Sequence, residues 1–216
     1  MITVKTEYPV ALTSPDHIHP YGTKRDNTVN PKFNAKLLKV IKTRPVSVLD
    51  LGCAGGGFVK SMLDAGHFAV GIEGSDYCKR NRSKEWGTIP ENLFTADARK
   101  PFTVCDESEN IIRFDAVTAF EFFEHIDLPG LSGVIDNVKR HLKPGGLLIG
   151  SINTHSSQLN GIDYHLTVEK PIWWIEMFEM HGFIYRKDLW HVIDPDWLRL
   201  CTGAFQVVFE MDVTYG

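Results

Sequence analysis

The apolar positions change period several times along the chain, and each change marks an element. "VSVLDL", from Val46, is apolar almost without a break and reads as a buried strand. "GFVKSMLDAG" has apolar residues at helical spacing and stops at Gly66. "FAVGIEG" is a second strand, "ENLFTADA" holds a short third and "FDAVTAF" is a fourth. A helix follows over 131–142, with Leu131, Val134, Ile135, Val138 and Leu142 on one face. Lys139, Arg140 and Lys143 lie at its end, where the macrodipole favours cations, and Pro144 and Gly145 stop it. "GLLIGSIN" is a fifth strand. Upstream, Asn30 and Pro31 form a cap and first turn for a helix with Phe33, Leu37 and Ile41 in one stripe.

Strands alternating with helices, and apolar on both faces, predict a parallel sheet covered on both sides. The last third differs. "KPIWWIEMFEMHGF" reads as a helix ending at Gly182, and "IYRKDLWHV" and "AFQVVFEMDV" read as two strands. The short run "DPDWLRLCTG" between them, turn-like and partly helical, makes an antiparallel hairpin the natural connection. The expected fold is α/β: a doubly wound, Rossmann-like, mostly parallel seven-stranded sheet with a C-terminal antiparallel hairpin. Residues 31–216 form its single domain. Residues 1–30, with Pro9, Pro15 and Pro20 and no sustained period, read as an irregular tail or as a lid over a site.

The bulk composition narrows the class. The chain has 216 residues, 43% hydrophobic and 23% charged, with a net charge of −4. That suits one soluble domain and gives no basic footprint for nucleic acid or anionic membrane. Cys53, Cys78, Cys105 and Cys201 are widely spaced, so neither a disulfide framework nor a zinc site is expected, and a reduced, cytoplasmic setting fits. No run has transmembrane length and no signal peptide is evident. Monomer and homodimer both remain open.

The chemistry starts at "DLGCAGGGF". A G-x-G-x-x-G dinucleotide loop beginning at Gly52 would have Ala54 at its second glycine, and Asp50 would face the pyrophosphate with a repulsion on the order of a kcal/mol. S-adenosylmethionine has no phosphate and carries an ammonium and a sulfonium, which an acidic turn suits. Asp50, Glu73 and Asp97 all fall at predicted strand ends on the ligand edge. Glu73 can accept from both ribose hydroxyls, and Asp97 from the adenine amino group. Ala54 is neutral at right-handed φ and costs about 1 kcal/mol at positive φ.

These segments together resemble the class I S-adenosylmethionine-dependent methyltransferases, of the small-molecule type. "VLDLGCAGGGF" is similar to the family's first motif, with Asp50, Gly52 and Gly56 in place and Ala54 departing from it. "VGIEGSD" resembles the second, with Glu73 and Gly74, and "TADARKPF" the third, with Asp97 and Ala98. "FDAVTAFEFFEHI" and "LKPGGLLIGSIN" resemble the fourth- and fifth-strand motifs, and the backbone near Phe120 would border the methionine part. The resemblance is strongest over 46–153 and implies S-adenosylmethionine as cofactor.

For the transfer itself, a histidine base suits a hydroxyl acceptor at neutral pH. His125, beyond the fourth strand, is the first candidate, and His165 before the aromatic helix the second. Glu124 is expected to cap or orient, and Glu121 to border cofactor or acceptor. His155, Asp163 and His165 have a loose metal-like spacing, but the set is incomplete and no metal is expected. His17 and His19 read as surface residues; His67, His141, His181 and His191 as structural or solvated. Trp174, Met177 and Phe178 read as core, while Trp173 could face a pocket. Cys53 reads as a small loop residue. Tyr21 and Arg25 are the lid residues expected near the cofactor's carboxylate. The expected partner is a small polar acceptor methylated on oxygen, with sugar or glycan precursors placed ahead of quinone-like molecules. An NAD(P)-dependent oxidoreductase and a non-catalytic cofactor-binding subunit are the alternatives.

Overall fold

The computed structural model describes residues 1–192 and 203–214. The connecting run 193–202, including Cys201, lies outside the described residues, as does the side chain of His191. The strands are β1 Thr3–Thr6, β2 Ser47–Leu51, β3 Phe68–Glu73, β4 Leu93–Thr95, β5 Phe102–Cys105, β6 Phe114–Phe120, β7 Leu142–Asn153, β8 Gln158–Leu159, β9 Ile162–Asp163, β10 Phe183–Tyr185 and β11 Ala204–Met211. The helices are α1 Pro15–Ile18, α2 Tyr21–Arg25, α3 Pro31–Val40, α4 Gly57–Asp64, α5 Tyr77–Asn81, α6 Leu128–His141 and α7 Pro171–Met180.

Seven strands form one sheet in the order β10-β11-β7-β6-β2-β3-β4. All run parallel except β11, which is antiparallel to both β7 and β10. This is the expected mostly parallel sheet with its C-terminal antiparallel pair. Alternation along β2 shows why its apolar run is continuous. Leu49 and Leu51 pack with α6 and α7 on one face, while Val46 and Val48 pack with α3 and α4 on the other. The caps read from sequence are in place: the Asn30 side chain accepts from the Phe33 amide at 3.0 Å. Trp174, Met177 and Phe178 are core, and Trp173 stands edge-on to Trp174. His141 is structural. Its Nδ1 lies 2.8 Å from the Asn137 carbonyl, and Nε2 accepts from the Val104 amide at 3.0 Å. Burial holds its pKa down to about 4.

Three expectations need correction. Residues 1–30 are not irregular: β1 pairs antiparallel with β5, and α1 and α2 follow. "IYRKDLWHV" is a strand only through Tyr185, and Lys187–Val192 turn into a 3₁₀ helix. His17 is not a plain surface residue, since its half-buried ring reaches Asp76 at 3.7 Å.

The strand order reverses where β2 lies beside β6, and the crevice beyond their carboxyl ends is the ligand position of such sheets. Around that centre the strands are tightly fitted. A Cβ built on Gly150 in β7 would lie 1.7 Å from the Ala119 carbonyl oxygen of β6. No helix of the described residues is long and apolar enough to cross a membrane. Gly150→Ala is expected to destabilise the protein by about 1–3 kcal/mol, read as a lower midpoint in chemical denaturation; an unchanged midpoint would show that the two strands can separate freely.

Candidate active site

The Asp50 loop is built from backbone conformations that most residues avoid. Gly52, Ala54 and Gly56 have φ of 72°, 44° and 89°. Ala54 therefore carries the left-handed strain of about 1–2 kcal/mol. Two hydrogen bonds hold it there: its amide donates to Glu73 Oε2 at 2.9 Å, and its carbonyl accepts from Trp86 Nε1 at 2.8 Å. Gly56 caps α4 and is not among the residues that line the cavity.

A cavity of about 380 Å³ opens at this edge. Of the residues singled out in the sequence, Gly52, Ala54, Glu73, Gly74, Asp97, Ala98, Phe120 and His125 line it. Asp50 lies in an adjoining recess of about 40 Å³, with Asp26 and Phe120. Its carboxylate accepts from Thr118 Oγ1 at 2.7 Å. Burial, with Asp26 and Glu73 close by, pushes it up to about 7 despite that bond. Glu73 is also raised to about 7 by burial, although the Ser75 and Ala54 amides each donate to it at 2.9 Å. Asp97 is clamped by Arg99, whose Nε and Nη2 reach its two oxygens at 2.9 and 2.8 Å. Five carboxylates, Asp16, Asp26, Glu73, Asp97 and Glu121, line the cavity against Arg99 and His125. That surplus repels a pyrophosphate and suits a cationic ligand with hydroxyls.

The roof comes from residues 8–28, part of the segment that the sequence offered as a tail or a lid. Tyr8 O accepts from the Asp97 amide at 2.9 Å, the Ala11 amide donates to Gly74 O at 2.9 Å, and Asp26 O accepts from the Gly55 amide at 3.1 Å. The approach at Gly55 is so close that a Cβ there would lie 2.6 Å from Asp26 O. Ala11, Ser14, Asp16, Thr23, Asp26 and Thr28 line the cavity from this strap. Tyr21 and Arg25 do not; the guanidinium stacks on the Tyr21 ring and donates to its hydroxyl. The readable signal was "SPD": Ser14 Oγ accepts from the Asp16 amide at 3.2 Å and starts α1.

Past β6 the chain turns sharply at Glu121, whose φ is 48°. Its carboxylate accepts from Ser151 Oγ at 2.6 Å and from Asn153 Nδ2 at 3.2 Å. His125 Nδ1 lies 2.8 Å from Asp16 Oδ2. Burial lowers the imidazole pKa, but the Asp16 bond and the charges of Asp16, Glu124 and Glu121 outweigh it, so the net shift is upward. His165 does not line the cavity; its ring stands edge-on to His125 at 5.0 Å, and burial lowers its pKa. Glu124 is buried and orients the chain as expected: Oε1 accepts from the Asn153 amide, and its carbonyl accepts from the Leu166 and Thr167 amides. Burial, with Glu121 nearby, pushes its carboxyl up to about 8. His155, Asp163 and His165 do not gather, because Asp163 is turned to Gln158 at 2.9 Å. Instead Glu124, His125 and His165 each bring one donor atom within 4.8 Å of the others. Cys53 is buried with its thiol pushed up, so it is no nucleophile.

The profile of the methyltransferase-domain family Methyltransf_23 matches residues 22–193. The chain belongs to that family. It carries a methyltransferase domain. The methyltransferase is similar to a ubiquinone biosynthesis O-methyltransferase of Haemophilus ducreyi, with 33% identity over 142 residues. That match covers 63% of this chain and 55% of the relative, so it spans about half of that protein's length. In fold it is similar to the PH0226 protein of Pyrococcus horikoshii, with TM-score 0.58, 19% identity and coverage of 94% and 95% of the two chains. It is also similar to the glycopeptide N-methyltransferase MtfA, with TM-score 0.54, 15% identity and coverage of 87% and 96%.

The raised carboxyls of the methyltransferase give a pH dependence with a definite sign. In the folded apoprotein Asp50 and Glu73 hold protons up to about pH 7, whereas unfolded carboxyls release them near pH 4. Their contribution to stability is therefore full below about pH 4 and is lost as pH rises through 7. The apoprotein is expected to melt at lower temperature at pH 8.5 than at pH 6.5. Asp50→Asn should raise its melting temperature at pH 8.5 yet weaken S-adenosylmethionine about tenfold to a hundredfold in titration calorimetry. Equal donor affinity in the variant would remove Asp50 from the site.

Proposed function

We propose that this methyltransferase transfers its methyl group to the oxygen of a small phenolic, quinone-precursor-like acceptor, with His125 as the base. The observation that carries the reading is His125 itself: it lines the cavity beyond β6 with Nδ1 engaged by Asp16, which would leave Nε2 as the nitrogen able to accept a proton. The similarity to a ubiquinone biosynthesis O-methyltransferase favours a quinone-like acceptor over the sugar class expected from sequence. Phe120 and Phe122 also line the cavity, and aromatic lining suits a flat ring.

The residues present fit the donor. Bound S-adenosylmethionine supplies an electrophilic methyl group on a sulfonium. Asp50 and Asp26 would hold the cationic methionine end, Glu73 the ribose hydroxyls, and Asp97 and Ala98 the adenine, with the Phe120 backbone along the methionine portion. The roof excludes water, so the opposite charges meet in a low dielectric. His125 takes the acceptor's hydroxyl proton as the new bond to oxygen forms, and the nearby carboxylates stabilise the imidazolium. His165, edge-on behind it, serves as a packing support for the ring.

The test is methyl transfer from labelled S-adenosylmethionine to catechol and related phenols, run beside a panel of sugars and amines. Methylated phenol is expected, and His125→Ala should cut that turnover about 10²- to 10⁴-fold with donor affinity retained. Exclusive methylation of sugars or amines overturns the acceptor class, and full turnover by His125→Ala overturns the base.

A further inference from the structure

The strap is fixed to the domain at points that do not involve its acidic side chain in α1. Tyr8, Ala11 and Asp26 bond through backbone to Asp97, Gly74 and Gly55, and His19 O accepts from Tyr164 Oη at 3.0 Å. Between these anchors, Ser14 and Pro15 start α1 and hold Asp16 over the crevice. Asp16 Oδ2 meets His125 Nδ1 at 2.8 Å, and the two side chains are only 21% and 23% exposed. A partly buried ion-pairing contact across 109 residues of chain is not needed to seat the strap, since the backbone anchors do that.

A neutral imidazole carries one proton, and which nitrogen has it depends on the bond made by the other. The charged and titratable groups facing this ring are Asp16 from α1, Glu121 and Glu124 from the turn after β6, and His165 from the segment before α7. Among them, Asp16 is the one at hydrogen-bond distance from a ring nitrogen. With Nδ1–H donating to Asp16, Nε2 is left with a bare lone pair. We propose that Asp16 is the positioning residue of His125: it fixes the Nδ1–H tautomer and so makes Nε2 the proton acceptor. The catalytic consequence rests on the reading of His125 as the base. Because Asp16 rides on the roof of the cofactor cavity, the base is set when the roof is seated.

The experiment is ¹H–¹⁵N multiple-bond NMR of the full chain labelled on histidine, saturated with S-adenosylhomocysteine, at a pH where the rings are neutral. The His125 signals are identified by their loss in His125→Gln. His141 is an internal reference for folding, since its Nδ1 donates to the Asn137 carbonyl and its Nε2 accepts from the Val104 amide. The expected result is Nδ1–H for His125 in the native chain and a shift towards Nε2–H in Asp16→Ala, with His141 unmoved. Turnover on catechol at saturating donor should fall about tenfold to a hundredfold in Asp16→Ala. Nε2–H in the native chain, or Nδ1–H persisting in Asp16→Ala, overturns the assignment. A tautomer shift without loss of turnover overturns its catalytic role. If His125→Ala keeps full turnover while the tautomer still depends on Asp16, the base reading fails and the positioning stands.

Discussion

The burial of Asp50 and Glu73 at neighbouring strand ends is the constraint around which this site is built. β2 and β3 are paired in register, so the sheet that forms the core also brings the two carboxyls together. Among the described residues neither has a lysine or arginine at hydrogen-bond distance; Asp50 has a hydroxyl donor and Glu73 backbone amides. Desolvation of two such groups is unfavourable, and the cost shows as carboxyl pKa values raised to about 7. The strain at Ala54 has the same origin. The loop turns left-handed so that its amide can reach Glu73.

The roof completes this electrostatic design. Asp16 and Asp26 add acid from above, and their backbone neighbours tie the strap to the loops that carry Glu73, Asp97 and the glycine turn. Three of those anchors pair the strap with backbone at the cofactor loops, so cofactor cavity and roof are one hydrogen-bonded unit. The same strap reaches His125 through Asp16. The proposed donor site and acceptor base thus share one element, so that closing the cavity and orienting His125 would go together.

Much of this was legible where the signal is local. The continuous apolar runs of β2, β3 and β6 announced a two-sided sheet, and acids at their ends announced the ligand edge. The acid in front of the glycine turn said more about the cofactor than the missing glycine did. What escaped depends on long-range backbone pairing. β1 is four residues with alternating exposure, and its partner β5 lies about a hundred positions away. The strap's bonds to Asp97, Gly74 and Gly55 use main-chain atoms, which leave no side-chain pattern. The histidines failed for another reason. His155, Asp163 and His165 are close in sequence, but the short β8–β9 ribbon turns Asp163 to Gln158, while the fold brings His165 to His125 across 40 residues.

The surplus of acid also bears on what can enter from the acceptor side. Glu121, Glu124 and Asp16 surround His125, and Arg99 is already committed to Asp97. An anionic acceptor, such as a phosphorylated sugar, would meet Asp16 and Glu121 with no free cation among the cavity-lining residues to offset the repulsion. A neutral hydroxyl meets no such barrier, and under the proposed mechanism its ionisation would be confined to the moment when the proton moves to His125. The field that favours a cationic donor therefore favours a neutral acceptor as well, and an aromatic hydroxyl is the neutral oxygen nucleophile that gives up its proton most readily to a histidine.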